Sequence, residues 1–357
     1  KLDKNNKRLY NEVNLCECSP LGAWKSLCIY AGALFDLRRR NMETKPFKTF
    51  REQIELLKSR GLAFQDENRA TSILSTYSYY EIINGYKEIG IEQGEKFKEG
   101  TTFEKLVDFF LMDKSIRTNI NLALQEIEAH LRTVLSYVVA EHYTADQNKY
   151  LQRENYERGA KKFKESERSK FLRKCYKITQ DKTQPYKHYR EKHGNVPPWI
   201  LVKGMTFGHL ITFYKLQKSH IKTEVIQRMT GLDKENIDND IKQLFINVFY
   251  FLLSYRNRCA HLGRVYNFTT EKNKINYNKF FHNRLHITEE DYKNGQGQNG
   301  LRTLIFSLTL FKTWGPVSPV GLLNFQITEA VNSYLLKYPE DRDYINQQIG
   351  GELIPIV

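Results

Sequence analysis

The stretch Arg256-Asn257-Arg258-Cys259-Ala260-His261, followed by Leu262-Gly263-Arg264-Val265-Tyr266-Asn267, carries the residue types that chemistry on a phosphate ester requires. Histidine titrates near neutrality and moves protons. Arginine stays charged and matches phosphate oxygens with paired hydrogen bonds, so it stabilises a developing phosphorane without a metal. Together they suit attack of a ribose 2′-hydroxyl on its own neighbouring phosphate. In that reaction His261 handles protons, Arg256 holds phosphate, and Asn257 orients a side chain or the phosphate. An R-x4-H spacing alone arises often by chance, and a histidine at a helix end can simply satisfy a carbonyl. The surrounding elements carry the decision.

The motif closes the segment from Ile237 to Leu262. There Ile241, Leu244, Val248, Leu252, Tyr255, Cys259 and Leu262 recur at three- and four-residue steps, which predicts an amphipathic helix. On such a helix Asn257, His261 and Arg264 form one polar stripe, whereas Arg256 lies about 140° around from His261. Convergence of the two therefore needs a bent arginine, a helix ended by Gly263, or a second copy of the helix.

Other segments read as helices too. Ile54, Leu57 and Leu62 form an apolar face from Thr49 onward, Gly61 marks a break, and Asp66 opens a second helix through Ala70, Ile73 and Leu74. A loop from Gly90 to Thr102 leads into Phe103 and on past Leu135 without Pro or Gly, one or two core helices. The charged stretch Lys149 to Arg173 reads as solvated helix. Pro197 and Pro198 punctuate the chain, helical spacing resumes through Phe207, Leu210, Phe213 and Tyr214, and Gly231 marks another boundary. Strand alternation is confined to short stretches such as Lys274 to Asn278.

Composition narrows the class. Lys and Arg number 55 against 41 acidic residues, a formal net charge of +14 that favours a polyanionic partner without proving one. Cys16, Cys18, Cys28, Cys175 and Cys259 are odd in number and contain no C-x-x-C, so neither a full disulfide framework nor a zinc ribbon fits, and a reducing cytoplasm is expected. Apolar runs such as Leu244 to Leu253 are too short to cross a bilayer. No secretory signal pattern opens the chain. Residues 1–41 contain no Met and end in Arg38-Arg39-Arg40, so they read either as a basic arm or as a stretch upstream of a natural start at Met42.

The motif has company. Arg256-Asn257-x-x-Ala260-His261-x-x-Arg264-x-x-Asn267 resembles the signature of the AbiD/AbiF-type abortive-infection proteins, a phage-defence family of the HEPN ribonuclease superfamily. Lys45-Pro46-Phe47-x-Thr49-Phe50-x-x-Gln53-Ile54-x-Leu56-Leu57 resembles that family's opening, followed by Ser78-Tyr79-Tyr80 and Asn84-Gly85-Tyr86. Similar blocks recur at Asp113 to Arg117, at Ile127-Glu128-x-x-Leu131-Arg132, and from Pro198-Trp199 through Thr206-Phe207-Gly208. The resemblance implies an all-α, HEPN-type helical bundle with additional N-terminal and inserted helices across residues 42–320, and a helical tail across 321–357. It also implies metal-independent RNA cleavage by Arg256 and His261, a toxin-like role in phage defence, a homodimer and a small-RNA partner.

Around that centre, Arg258, Arg264, Tyr266 and Asn267 are the expected RNA contacts. Glu128 and Arg132, four apart, are either a helix-surface pair or a support around His261. No cofactor is expected. His209, His282 and His286 lack partners at ligand spacing, so no metal is assigned. Gly295-Gln296-Gly297-Gln298-Asn299-Gly300 spells G-x-G-x-x-G but follows a polar run instead of a strand, so a flexible loop is expected and not a dinucleotide site. Most of the many Tyr and Phe residues sit at apolar helical positions, leaving Tyr266 as the ring near the motif for base stacking. Two rivals to catalysis stay open: an RNA-binding or regulatory protein that only grips RNA with this motif, and a structural interaction protein without RNA affinity.

Overall fold

The computed structural model describes residues 46–162 and 165–351. The expectations for residues 1–41, with Cys16, Cys18 and Cys28, and for Met42 lie outside the described residues, as do positions 352–357 of the expected tail. The chain divides into compact units Lys1–Glu55 and Leu56–Val357.

Helix α1 (Phe50–Ser59) opens with a reciprocal cap, the Glu52 carboxylate accepting the Thr49 N–H at 2.7 Å while Thr49 Oγ1 accepts the Glu52 N–H at 3.3 Å. Gly61, at φ +89°, makes the predicted break. Helix α2 (Glu67–Tyr79) starts at the predicted cap, Asp66, which accepts the Arg69 N–H at 3.0 Å. Ser78, at φ 61°, interrupts its end, and a wide turn Tyr80–Asn84 follows. The loop expected from Gly90 to Thr102 contains a minimal hairpin, β1 (Ile91–Gln93) with β2 (Lys96–Phe97).

Helix α3 (Phe103–Tyr143) is one unbroken element, capped by Thr102. Its 41 residues extend about 62 Å. The solvated helix expected at Lys149 to Arg173 is a correction: β3 (Lys161–Lys162) and β4 (Glu165–Ser166) pair there, and only from Glu167 does α4 (Glu167–Thr179) begin, capped by Ser166. Two-residue strands carry no period to read. Helices α5 (Tyr186–His193), α6 (Phe207–Lys215) and α7 (Ser219–Thr230) follow, the last ended by Gly231 at φ +79° as predicted. Then come α8 (Asn239–Ala260), α9 (Gly300–Leu308), α10 (Pro319–Leu335) and α11 (Arg342–Ile349). No strand forms at Lys274–Asn278.

The fold is all-α, with α3 as its axis. Helices α6, α7, α8 and α10 pack against α3, and α10 does so most extensively. Ile116, Ile120, Leu124, Leu131 and Val138 of α3 are completely or almost completely buried. The boundary expected at residue 320 is therefore corrected: it falls inside α10, whose Leu323, Ile327 and Val331 join the core, so the described part of 321–357 is wall and not tail.

Candidate active site

Helix α8 supplies the motif and ends within it. Its apolar stripe, Ile241, Leu244, Val248, Leu252, Tyr255 and Cys259, is buried as the periodicity predicts, but Leu262 is a correction: the helix ends at Ala260, and the expected last member of the stripe lies past it and is exposed. Burial also pushes the Cys259 thiol up to about 12, so this cysteine is a packing residue and not a nucleophile. His261 is the residue at which the helix stops. The Leu262 N–H bonds the Cys259 carbonyl at 3.1 Å and the Gly263 N–H bonds the Arg258 carbonyl at 2.9 Å, a Schellman closure. The left-handed position is Leu262, at φ 57°, one residue before Gly263. Gly263 serves by lacking a side chain, because a Cβ there would collide with the Arg258 guanidinium.

A leucine adopts that backbone only when neighbours hold it. The holders come from α3. Arg117 donates to the Leu262 carbonyl at 3.1 Å. Asp113, fully buried, accepts the N–H groups of Val265 and Tyr266 at 3.0 and 2.8 Å through Oδ1, and the Tyr86 hydroxyl at 2.7 Å through Oδ2. Burial pushes the Asp113 carboxyl upward, while these bonds and nearby Arg117 oppose the shift. Arg264 donates to the Gly85 carbonyl and lies 3.6 Å from Glu88. Three blocks distant in sequence, Asn84-Gly85-Tyr86, Asp113 to Arg117 and the motif, thus meet at one turn.

A second junction lies one turn back. Arg256 Nε stands 3.6 Å from Glu128 Oε2, and Glu128 Oε1 accepts Arg132 at 2.8 Å. Arg132 also donates to the carbonyls of Val202 and Met205, tying in the block that begins at Pro198. Glu128 and Arg132 therefore support Arg256 and not His261. Among the described residues no hydrogen bond or ion pair joins Arg256 to His261. His261 and Asn257 are exposed, their side chains without hydrogen-bond partners among the described residues, and Arg256 is half-exposed.

The expected RNA contacts fare differently. Tyr266 is a correction: it is fully buried, its ring against Phe109 and its hydroxyl 3.3 Å from that of Tyr344, so it offers no face to a base. Arg258 lies across Gly263, donating to the Arg264 carbonyl at 2.8 Å with its guanidinium over Phe268, and Arg264 is engaged at Gly85. Both hold the turn. Asn267 is half-buried. Asp113 and Arg117 had no role assigned from sequence; their membership in a recognisable block was the only signal.

His209 caps α6 with Thr206, and buried His282 lies between the carbonyls of Asn278 and Gly297. Among the described residues one group, Glu141, His142 and Glu224, has ligand atoms within 4.8 Å of one another, but Arg228 already pairs with both carboxylates. No helix among the described residues is long and apolar enough to cross a membrane. A family model described as Abi-like protein matches residues 72–267, more than half of the chain. No curated protein and no solved structure matches.

Proposed function

The chain belongs to the Abi-like protein family, which supports a role in abortive infection, and we propose that it fills this role by cutting RNA at the end of α8. One observation carries the proposal: exposed His261 stands where α8 ends in a turn held from α3, exposed Asn257 lies one helical turn before it, and Arg256 beside them faces the half-buried carboxylate of Glu128. A side chain without partners at a fixed backbone position is free for a substrate. His261 takes the 2′-hydroxyl proton or returns one to the leaving 5′-oxygen. Arg256, steered by Glu128, supplies the fixed positive charge for the phosphorane, and Asn257 donates a positioning hydrogen bond. The side chains themselves provide proton transfer and charge, so the reaction calls for no metal.

The HEPN-type resemblance of the motif supports a paired site. Within one chain Arg256 faces Glu128, and Leu262, 65% exposed beside His261, offers an apolar surface for a second copy. A homodimer in which two motifs line one cleft resolves the angular separation of Arg256 and His261.

The test is product analysis. Cleavage persists in EDTA and leaves a 2′,3′-cyclic phosphate, and a deoxyribose at the cut position abolishes it. Cutting of the deoxy substrate, abolition by EDTA, or RNA binding without any cutting would overturn the proposal.

A further inference from the structure

The polar stripe of α8 does not stop at the motif. Gln243, Asn247, Tyr250, Ser254, Asn257 and His261 follow one another at alternating four- and three-residue steps, which keeps them on one face. The stripe is about 27 Å long. Its upstream half floors a cleft of about 330 Å³, walled by Lys215 at the end of α6 and by Lys272 and Lys274 in the loop after α8. Among the described residues no acidic side chain lines it.

The wall is built. Asn273 Nδ2 donates to Ser254 Oγ at 2.7 Å, and Asn276 Nδ2 donates to Asn247 Oδ1 at 3.1 Å. From behind, buried Ile275 donates its N–H to the Gln298 carbonyl at 3.1 Å. The glycine-rich run Gly295–Gly300 thus has a structural task. It is an ordered turn, with Gly297 at φ +69° against His282, and it anchors the loop that carries the lysines.

The charges are poised for an anion. Lys272 has no ion-pair partner among the described residues, and Lys274 meets only Glu271, which is 83% exposed. Lys215 is held by Glu167 at 3.0 Å. Near that wall Lys222 is pushed below its ordinary range by burial, with repulsion from Lys242 and Lys215 adding to the effect and Glu157 opposing it. Lysines on two sides of one cleft attract a polyanion. Amide side chains give donors and acceptors for base edges, and half-buried Tyr250 gives a ring for stacking.

Building on the RNA-cleaving role above, we propose that this cleft binds the single-stranded RNA flanking the scissile phosphate, the strand lying along α8 from Lys272 and Lys274 to His261. The distance from Tyr250 to His261 along the helix, about 16 Å, leaves room for intervening nucleotides that pass the Asn273–Ser254 contact and cross Asn257.

The test uses full-length protein carrying His261→Ala, so that bound RNA is not cut, and a labelled single-stranded oligoribonucleotide. Adding Lys272→Gln and Lys274→Gln lowers affinity about tenfold at physiological salt and reduces the slope of log affinity against log salt by about 1.4, as expected when two phosphates no longer meet a lysine. The same charge removed at Lys187 and Lys192 on α5 leaves both unchanged. If the double variant melts lower than its parent, Lys272→Gln alone still reduces the slope by about 0.7. RNA binding with affinity and slope unaltered by the cleft substitutions overturns the cleft alone. Absence of RNA binding in both the native and the His261→Ala protein overturns the cleft and the RNA-cleaving role together.

Discussion

Asp113 Oδ1 accepts the backbone N–H of Tyr266 at 2.8 Å, across 153 residues of sequence, and the same oxygen accepts that of Val265. One carboxylate on α3 thereby fixes the turn on which His261 stands. Two buried N–H groups and the Tyr86 hydroxyl depend on it. Asp113→Ala leaves them unpaired and costs roughly 3–5 kcal/mol, whereas Asp113→Asn, which keeps an acceptor, costs clearly less. Urea unfolding of the two variants checks this. Equal stability of Asp113→Ala and the parent would remove Asp113 from the account.

Glu128 orients Arg256 without being positioned to touch RNA in its place. Glu128→Gln keeps the shape but loses the charge that draws Arg256 Nε to 3.6 Å. Cleavage turnover then falls roughly 10- to 100-fold through misplacement of the cation, with little change in melting temperature because Arg132 keeps its carbonyl partners. Unchanged turnover would show that Arg256 needs no such partner.

The helical framework was largely legible, because α8 and α3 bury faces that recur at helical steps over many turns. Caps at Asp66 and breaks at Gly61 and Gly231 follow from local chemistry and were legible for the same reason. The pairing of β3 with β4 was not, since two-residue strands are set by tertiary neighbours and leave no pattern. Tyr266 illustrates the limit at the site: adjacency to the motif says nothing about burial, and only the chain from Asp113 back to the turn shows why the ring faces inward. The left-handed residue fell on Leu262, one before Gly263, because Arg117 binds its carbonyl and Arg258 needs the open side of Gly263. Glu128 was visible as a pair with Arg132, but its contact with Arg256 joins two helices and has no sequence spacing.

Glu224 gives a pH prediction away from the site. Burial pushes its carboxyl upward, but hydrogen bonds from His142 and Arg228 outweigh that and hold it at about 2, below the ordinary 4.5. A depressed acid contributes stability that is present above the unfolded value and is lost as pH falls through the folded one. Glu224→Gln is therefore less stable than the parent near neutrality by about 1–2 kcal/mol, discounted for the exposure of Arg228. The gap narrows between pH 4.5 and about 2. Unfolding curves at pH 7 and pH 3 read it; a gap that widens at acid pH would contradict the assignment.

The paired site is tested by mixing. Arg256→Ala and His261→Ala chains, inactive alone, are co-expressed with different tags and the mixed dimer isolated. If Arg256 of one chain works with His261 of the other, one intact pair survives and partial cleavage returns. A mixed dimer as inactive as its parents, or an active species that sediments only as a monomer, would refute the shared cleft.

Whether His261 moves the proton in RNA cleavage is read by single-turnover cutting of one ribonucleotide bond by parent and His261→Ala proteins matched for fold and RNA affinity. Loss of general acid–base catalysis predicts a rate lowered by about 10²- to 10⁴-fold with affinity retained. A His261→Ala protein that cuts the same bond at the parental rate would rule out His261 as the proton carrier.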